Sequence, residues 1–184
     1  AWAYDPSQSV SGGELKVNDG ENGSWSYLAT YKSAGAGGLS VTFSPSSFTL
    51  VSNTVPVGLA LFMDSPSSDA NGYVIYRKND DVRLYGVSNG ELATGILEDN
   101  ASPSQPLPSV GSTMRAMIRD NGDGSYRIEL YIDGSLDATL TLNNPAVSLE
   151  NAYVGVLQYA RSGVFGDNIS NLDSFTAYIP TSGN

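Results

Sequence analysis

Turn-forming dipeptides divide this chain into short segments, and their spacing limits the folds open to it more than any other feature. Asn-Gly occurs at positions 22, 71, 89 and 121, and Asp-Gly at positions 19, 123 and 133. Both pairs favour tight turns, because Asn, Asp and Gly adopt positive φ more easily than other residues. No stretch longer than about ten residues keeps a helical period. We therefore predict an all-β chain with two packed antiparallel sheets.

The alternation of apolar and polar residues places the strands between these turns. The predicted strands are residues 14–17, 25–31, 39–43, 48–51, 57–62, 72–77, 82–87, 113–119, 126–132, 135–142, 152–160 and 174–179. Residues 90–100 fit either a strand or a helical turn, and residues 100–109, with three prolines, are predicted to be a loop. We expect residues 1–180 to form one domain and residues 181–184 to begin a linker.

The clearest hairpin is predicted over residues 114–134. Pairing Arg119 with Tyr126 would mix arginines into the apolar face, whereas pairing Arg119 with Arg127 separates apolar from polar side chains. The second register needs an extra residue in the turn, so Gly122 or Gly124 is expected at positive φ. The outward face of this hairpin would carry Arg115, Arg119, Arg127, Glu129 and Tyr131.

A second hairpin is predicted from residues 72–77 and 82–87, joined by residues 78–81. With Arg77 opposite Val82, alternation along the two strands separates a core face from an outward face. The core face would hold Tyr73, Ile75, Val82 and Leu84, and the outward face Val74, Tyr76, Arg83 and Tyr85. The outward face therefore combines two tyrosines with an arginine.

Composition excludes several classes of function. With 19 acidic and 9 basic residues the net charge is -10, which argues against nucleic acid or an anionic membrane as the partner of the whole surface. The chain has no cysteine and no histidine, so disulfides, thiolate metal sites and histidine-based catalytic triads are absent. The longest apolar run, residues 55–63, is too short to span a bilayer. No signal peptide is seen at Ala1, so we expect a processed product or a fragment of a longer chain.

Four motifs in order carry a family resemblance. They are Gly72-Tyr73-Val74-Ile75 followed by Val82-Arg83-Leu84, then residues 126–134 ending in Tyr131-Ile132-Asp133-Gly134, then Tyr153-Val154-Gly155-Val156, and last Leu172-Asp173-Ser174-Phe175. This layout resembles the LamG-like, concanavalin A-like jelly-roll domains common in secreted carbohydrate-active proteins. The resemblance implies two sheets, one of them concave, with carbohydrate bound on the concave face or by its rim loops. It also implies a structural calcium near the chain ends, where Asp173 matches the family's terminal aspartate and Asp5 is the N-terminal candidate.

Sugars are bound by aromatic faces together with planar hydrogen-bonding groups, and the two hairpins supply both. The candidate carbohydrate-binding residues are Tyr76, Arg83, Tyr85, Arg115, Arg119, Arg127, Glu129 and Tyr131, with Tyr159 and Arg161 from the strand that begins at residue 152. We expect one concave face to carry several of the arginines, which suit the carboxylate or sulfate groups of an anionic or algal polysaccharide. The simpler alternative is that these residues only decorate a solvated sheet.

The predicted function is a non-catalytic carbohydrate-binding module, monomeric and part of a larger secreted or cell-surface bacterial protein. It would hold its parent near a polysaccharide. One alternative is a calcium-stabilised adhesin or cell-surface structural domain. A glycan hydrolase or lyase is disfavoured, because glycosidases similar in fold carry a Glu-x-Asp-x-x-Glu motif and the lyases use a histidine, and this chain has neither.

Overall fold

The computed structural model describes residues 8–11, 14–17, 25–32, 38–43, 54–67, 69–78, 80–100, 102–159 and 171–178. These residues form short strands and one 3-10 turn, Leu149–Asn151. The strands are β1 (Gln8–Ser11), β2 (Glu14–Val17), β3 (Trp25–Lys32), β4 (Gly38–Phe43), β5 (Thr54–Met63), β6 (Gly72–Lys78), β7 (Val82–Ser88), β8 (Glu91–Asn100), β9 (Thr113–Asp120), β10 (Ser125–Ile132), β11 (Ser135–Asn143), β12 (Tyr153–Tyr159) and β13 (Asn171–Tyr178).

The strands form two sheets. The seven-stranded sheet has the order β1-β2-β13-β4-β9-β10-β11, and the six-stranded sheet has the order β3-β12-β5-β6-β7-β8. Every pairing is antiparallel. The expected two-sheet antiparallel sandwich is therefore confirmed. No helix among the described residues is long and apolar enough to cross a membrane.

The core lies between the sheets because alternate residues of each strand point inward. From the six-stranded sheet it takes Leu59, Leu61, Ile75 and Leu84, and from the seven-stranded sheet Met114, Ala116, Ile118, Ile128, Leu130, Ile132, Leu140 and Leu142. Each of the larger side chains contributes about 1.5–3 kcal/mol when it leaves water. This burial determines which residues of β6, β7, β9 and β10 remain on the outer faces.

The register of the β9–β10 hairpin agrees with the prediction. Arg127 pairs with Arg119, and the amide of Asn121 donates to the carbonyl of Ser125 across the turn at 3.0 Å. Gly122 and Gly124 both have positive φ, at 79° and 87°. The turn therefore has the extra length that the separation of the two faces requires.

The acidic side chains of this turn serve the turn itself. Asp120 Oδ1 accepts from the amide of Gly122 at 2.7 Å, and Asp123 Oδ1 accepts from the amide of Ser125 at 2.9 Å. These are the side chain–backbone bonds by which aspartate commonly stabilises turns. The hairpin turn therefore accounts for the Asp, Asn and Gly residues at positions 120–124.

Other predictions have different outcomes. Residues 91–100 are a strand, β8, which resolves the alternative of a helical turn, and residues 102–109 contain no strand, as expected. Strand β1 was not predicted. The predicted strand at 48–51 and the linker at 181–184 lie outside the described residues.

One buried ion pair joins the sheets. Arg77 of β6 donates through Nε to Asp137 Oδ2 of β11 at 2.9 Å, and both side chains are almost fully buried. Arg77 Nη2 also donates to the backbone carbonyl of Gln105, and the backbone amide of Gln105 donates to Asp137 Oδ1 at 2.8 Å. The pair therefore also fixes the proline-containing loop against the sandwich.

Candidate functional site

The predicted site residues lie on two different sheets. Tyr76, Arg83 and Tyr85 are on β6 and β7 of the six-stranded sheet, whereas Arg115, Arg119, Arg127, Glu129 and Tyr131 are on β9 and β10 of the seven-stranded sheet. Both groups alternate with core residues, so each points away from the core. Three of the arginines, Arg115, Arg119 and Arg127, therefore share one face, whereas Tyr76, Arg83 and Tyr85 lie on the opposite sheet of the sandwich.

We call Tyr76, Asp81, Arg83 and Tyr85 the tyrosine face, and the group on β9 and β10 the arginine face. Four predicted residues have no described side chain. Tyr159 ends β12 and Asp173 lies in β13, and of both only the backbone is described; Arg161 and Asp5 lie outside the described residues.

Two stacked rings are at the centre of the tyrosine face. Tyr76 and Tyr85 lie diagonally on neighbouring strands, with ring centroids 5.6 Å apart and planes inclined by 13°. Tyr76 is 7% exposed and Tyr85 is partly exposed. Tyr85 is therefore the ring that reaches solvent, and Tyr76 supports it from beneath.

A small apolar cluster holds these rings in place. It consists of Ala60, Met63, Ala70, Val74, Tyr76 and Val87, with the partly buried Tyr85, Leu92 and Tyr153 packed against it. Burial, followed by hydrogen bonding with Tyr85, raises the pKa of Tyr76 well above its ordinary value. A fully solvated face, the simpler alternative, does not describe this part of the sheet.

Arg83 is positioned by Asp81, an acidic residue that was not predicted from the sequence as part of the site. Asp81 Oδ2 accepts from Arg83 Nε at 2.8 Å and lies 2.7 Å from Nη2. The hydrogen bond to Asp81 is the main reason that the pKa of Arg83 is raised. The other oxygen, Asp81 Oδ1, is buried and has no hydrogen-bond partner among the described residues. A buried acceptor in this condition is satisfied when a water or a ligand hydroxyl reaches it.

Glu129 organises the arginine face. It is 3% exposed, and its Oε1 accepts from Arg127 while its Oε2 accepts from Arg119 at 3.2 Å and from the Tyr131 hydroxyl at 3.1 Å. Burial alone would raise the pKa of Glu129, but the hydrogen bonds from Arg127, Arg119 and Tyr131 bring it below its ordinary value. Glu129 is therefore a structural anion, with both oxygens occupied.

Arg115 lies at the other end of this face. Its Cζ is 4.5 Å from the centroid of the Tyr131 ring, within cation–π range. Its Nε is buried and has no hydrogen-bond partner among the described residues. Tyr131 thus links Arg115 to Glu129.

A cavity of about 240 Å³ opens at one end of the sandwich and provides a rim location for a ligand. It is lined by Phe62, Asp64, Asn71, Gly72, Tyr73, Gly86, Val87, Leu97, Ala146 and Val147. At its edge Asp64 Oδ1 accepts from the backbone amide of Asn71, and Asp64 Oδ2 accepts from the Asn71 side-chain Nδ2, both at 2.8 Å. The lining is mainly apolar, and its carboxylate is already engaged.

Calcium has no identified ligand set in the part of the chain that is described. No group of three or more His, Asp or Glu residues there is arranged to hold a metal ion. Both residues proposed as ligands, Asp5 and Asp173, lack described side chains. Calcium therefore stays a prediction from the family resemblance.

Comparison with solved structures identifies the fold. Carbohydrate-binding module CBM66 from Bacillus subtilis is 11% identical, with a TM-score of 0.59 over 97% of this chain and 92% of its own. The exoplasmic/lumenal domain of VIP36 in its Ca²⁺- and mannose-bound form is 10% identical, with a TM-score of 0.59 over 97% and 82% of the two chains. A human SPRY domain is 12% identical, with a TM-score of 0.55 over 96% and 97%.

The chain has a concanavalin A-like jelly-roll fold. The predicted fold class and the resemblance to carbohydrate-binding jelly rolls are thus confirmed. No protein-family model and no curated protein matches the chain. At these sequence identities the similarity shows the fold. A ligand has to be inferred from the side chains of the tyrosine face and the arginine face.

Proposed function

We propose that this domain is a non-catalytic carbohydrate-binding module that binds a polysaccharide on the tyrosine face. The observation that carries the proposal is the Tyr76–Tyr85 stack beside Arg83. A supported aromatic ring at the surface offers an apolar plane to the C–H face of a sugar. Planar guanidinium donors beside it suit the hydroxyl oxygens at the edge of the sugar.

The preorganisation of this face favours binding. Tyr85 is held by the Tyr76 ring, and Arg83 is held by Asp81, so little side-chain entropy remains to be lost when a ligand binds. Stacking on Tyr85 and donation from Arg83 are contacts of the kind that orient a sugar ring.

Asp81 and Glu129, the carboxylates of the two faces whose side chains are described, do not form the carboxyl pair of a glycoside hydrolase. Hydrolysis needs two carboxyl groups facing each other across one substrate, about 5–9.5 Å apart. Asp81 is engaged with Arg83 on one sheet, and Glu129 is engaged with arginines on the other. Neither faces the other, because the core lies between them.

Affinity electrophoresis against a panel of neutral and anionic polysaccharides tests the proposal. We expect at least one of them to retard the intact domain, with no release of reducing or unsaturated ends during incubation. A domain that no member of the panel retards is not a carbohydrate-binding module. Product release would instead show an enzyme.

We further propose that the domain belongs to a larger secreted or cell-surface protein, and that Asp173 and Asp5 help to hold a structural calcium. A bound ion stabilises the folded state by mass action. An excess of chelator should therefore lower the melting temperature, and re-addition of calcium should restore it. An unchanged melting temperature in chelator would remove calcium from this account.

A further inference from the structure

We propose that the arginine face is a second binding site, separate from the tyrosine face, for the sulfate or carboxylate groups of an anionic polysaccharide. It consists of Arg115, Arg119, Arg127, Glu129 and Tyr131, on the opposite side of the sandwich from Tyr85. This proposal does not rest on sugar binding by the tyrosine face.

The arginine face has an excess of positive charge. Arg119 and Arg127 contact the Glu129 carboxylate and Arg115 lies over the Tyr131 ring, so these residues have a surplus of two positive charges in a chain whose net charge is -10. The flanking strand β4 contains no charged residue, and the one acidic residue of β11, Asp137, is buried against Arg77. Asp120, at the end of β9, alternates with Arg119 and accepts from the turn amide of Gly122, so it is not part of the arginine face.

Arg119 and Arg127 have N–H groups that are available to a ligand. Arg119 uses only Nε to reach Glu129, and Arg127 uses only Nη2, so their remaining N–H groups have no partner among the described residues. The two side chains are 58% and 51% exposed. Arg119 and Arg127 are register partners and both reach Glu129, so the two side chains lie beside the same carboxylate. Planar guanidinium groups bind carboxylate and sulfate oxygens bidentately.

The spacing of the cations favours a chain over a single ion. Arg115 precedes Arg119 by four residues on β9, which places the two backbone positions about 14 Å apart at the usual strand rise. A flexible polymer with repeated negative groups can reach both ends, whereas one sulfate ion cannot.

Three polymers with one backbone provide the test: dextran, dextran sulfate and carboxymethyl dextran. Calorimetric titration of the intact domain should detect binding to dextran sulfate, to carboxymethyl dextran or to both, weakened by added salt. The two charged polymers distinguish sulfate from carboxylate as the recognised group. The result with uncharged dextran reports on the tyrosine face and does not enter this test.

Single substitutions locate the site. Arg119→Gln and Arg127→Gln should each weaken binding of the charged polymer by about tenfold, since each removes a charge-assisted pair. Lys78→Gln, which removes one positive charge from β6 of the other sheet, should leave it unchanged.

Three results would overturn the proposal. These are no binding of either charged polymer, equal losses for Lys78→Gln and the arginine variants, or loss on Tyr85→Ala with none on the arginine substitutions. Because Glu129 loses a partner in each arginine variant, folding is checked by thermal melting. If a variant unfolds, amide chemical shifts of the wild-type domain decide: perturbation centred on β9 and β10 supports the proposal, and perturbation centred on β6 and β7 overturns it.

Discussion

Arg77 of β6 and Asp137 of β11 form a buried ion pair between the two sheets, with 2.9 Å from Nε to Oδ2. Arg77→Met should therefore lower the free energy of unfolding by about 3–5 kcal/mol, because it leaves Asp137 buried without its countercharge. Urea denaturation followed by tyrosine and tryptophan fluorescence measures the loss. A loss below about 1 kcal/mol, the range of exposed pairs, would mean that the pair is solvated.

The double variant Arg77→Met/Asp137→Leu is the control for this prediction. Replacing both charges with apolar groups removes the uncompensated carboxylate, so much of the stability should return. The comparison separates the cost of an orphaned charge from the net contribution of the pair.

The conformation of Gly122 gives a second prediction. Its φ is 79° and a Cβ at this position would meet no atom within 4 Å, so backbone strain alone opposes a side chain. Gly122→Ala should cost about 1–2 kcal/mol, and Gly122→Asn less, because asparagine tolerates the left-handed region. Thermal and urea unfolding of the two variants make the comparison. Equal stability of the alanine variant and the wild type would contradict the bulged turn.

Glu129 makes the stability of the arginine face depend on pH. Its folded-state pKa lies below the ordinary 4.5, so its contribution is fully present above that value and is lost as the pH falls through the folded-state pKa. Glu129→Gln should cost about 1–3 kcal/mol at pH 7, since it weakens charge-assisted hydrogen bonds to two arginines. The difference from wild type should shrink at pH 3 in urea titrations. A difference that is the same at both pH values would contradict an ionised Glu129.

The turn and register of the β9–β10 hairpin were predictable because they depend on local rules. Apolar alternation allowed only a pairing of Arg119 with Arg127, and the extra turn residue required glycine at positive φ. Both were confirmed. Likewise the pairing of Arg77 with Val82 and the outward direction of Tyr76 and Tyr85 follow from alternation within one hairpin.

Contacts between distant segments were not predictable in this way. Alternation shows which face a side chain occupies but not to which sheet its hairpin belongs, so the placement of Tyr85 and Arg127 on opposite sheets was not predictable. Asp137 pairs with Arg77 from 60 residues away, and no local pattern relates them. Asp81 had a weak signal, since it is two residues before Arg83 and so shares its face.

The exposed ring of Tyr85 shows whether the sugar site lies on the tyrosine face. The measurement is the dissociation constant, by calorimetry, of the neutral polysaccharide that most strongly retards the domain, for wild type, Tyr85→Ala and the control Tyr131→Phe. Losing the exposed ring should weaken binding by about tenfold or more, while the lost stack with Tyr76 costs only about 0.5–1.5 kcal/mol of stability. Tyr131→Phe keeps its ring on the other sheet and should bind a neutral polysaccharide like wild type. An unchanged dissociation constant for Tyr85→Ala in a folded protein would contradict the account.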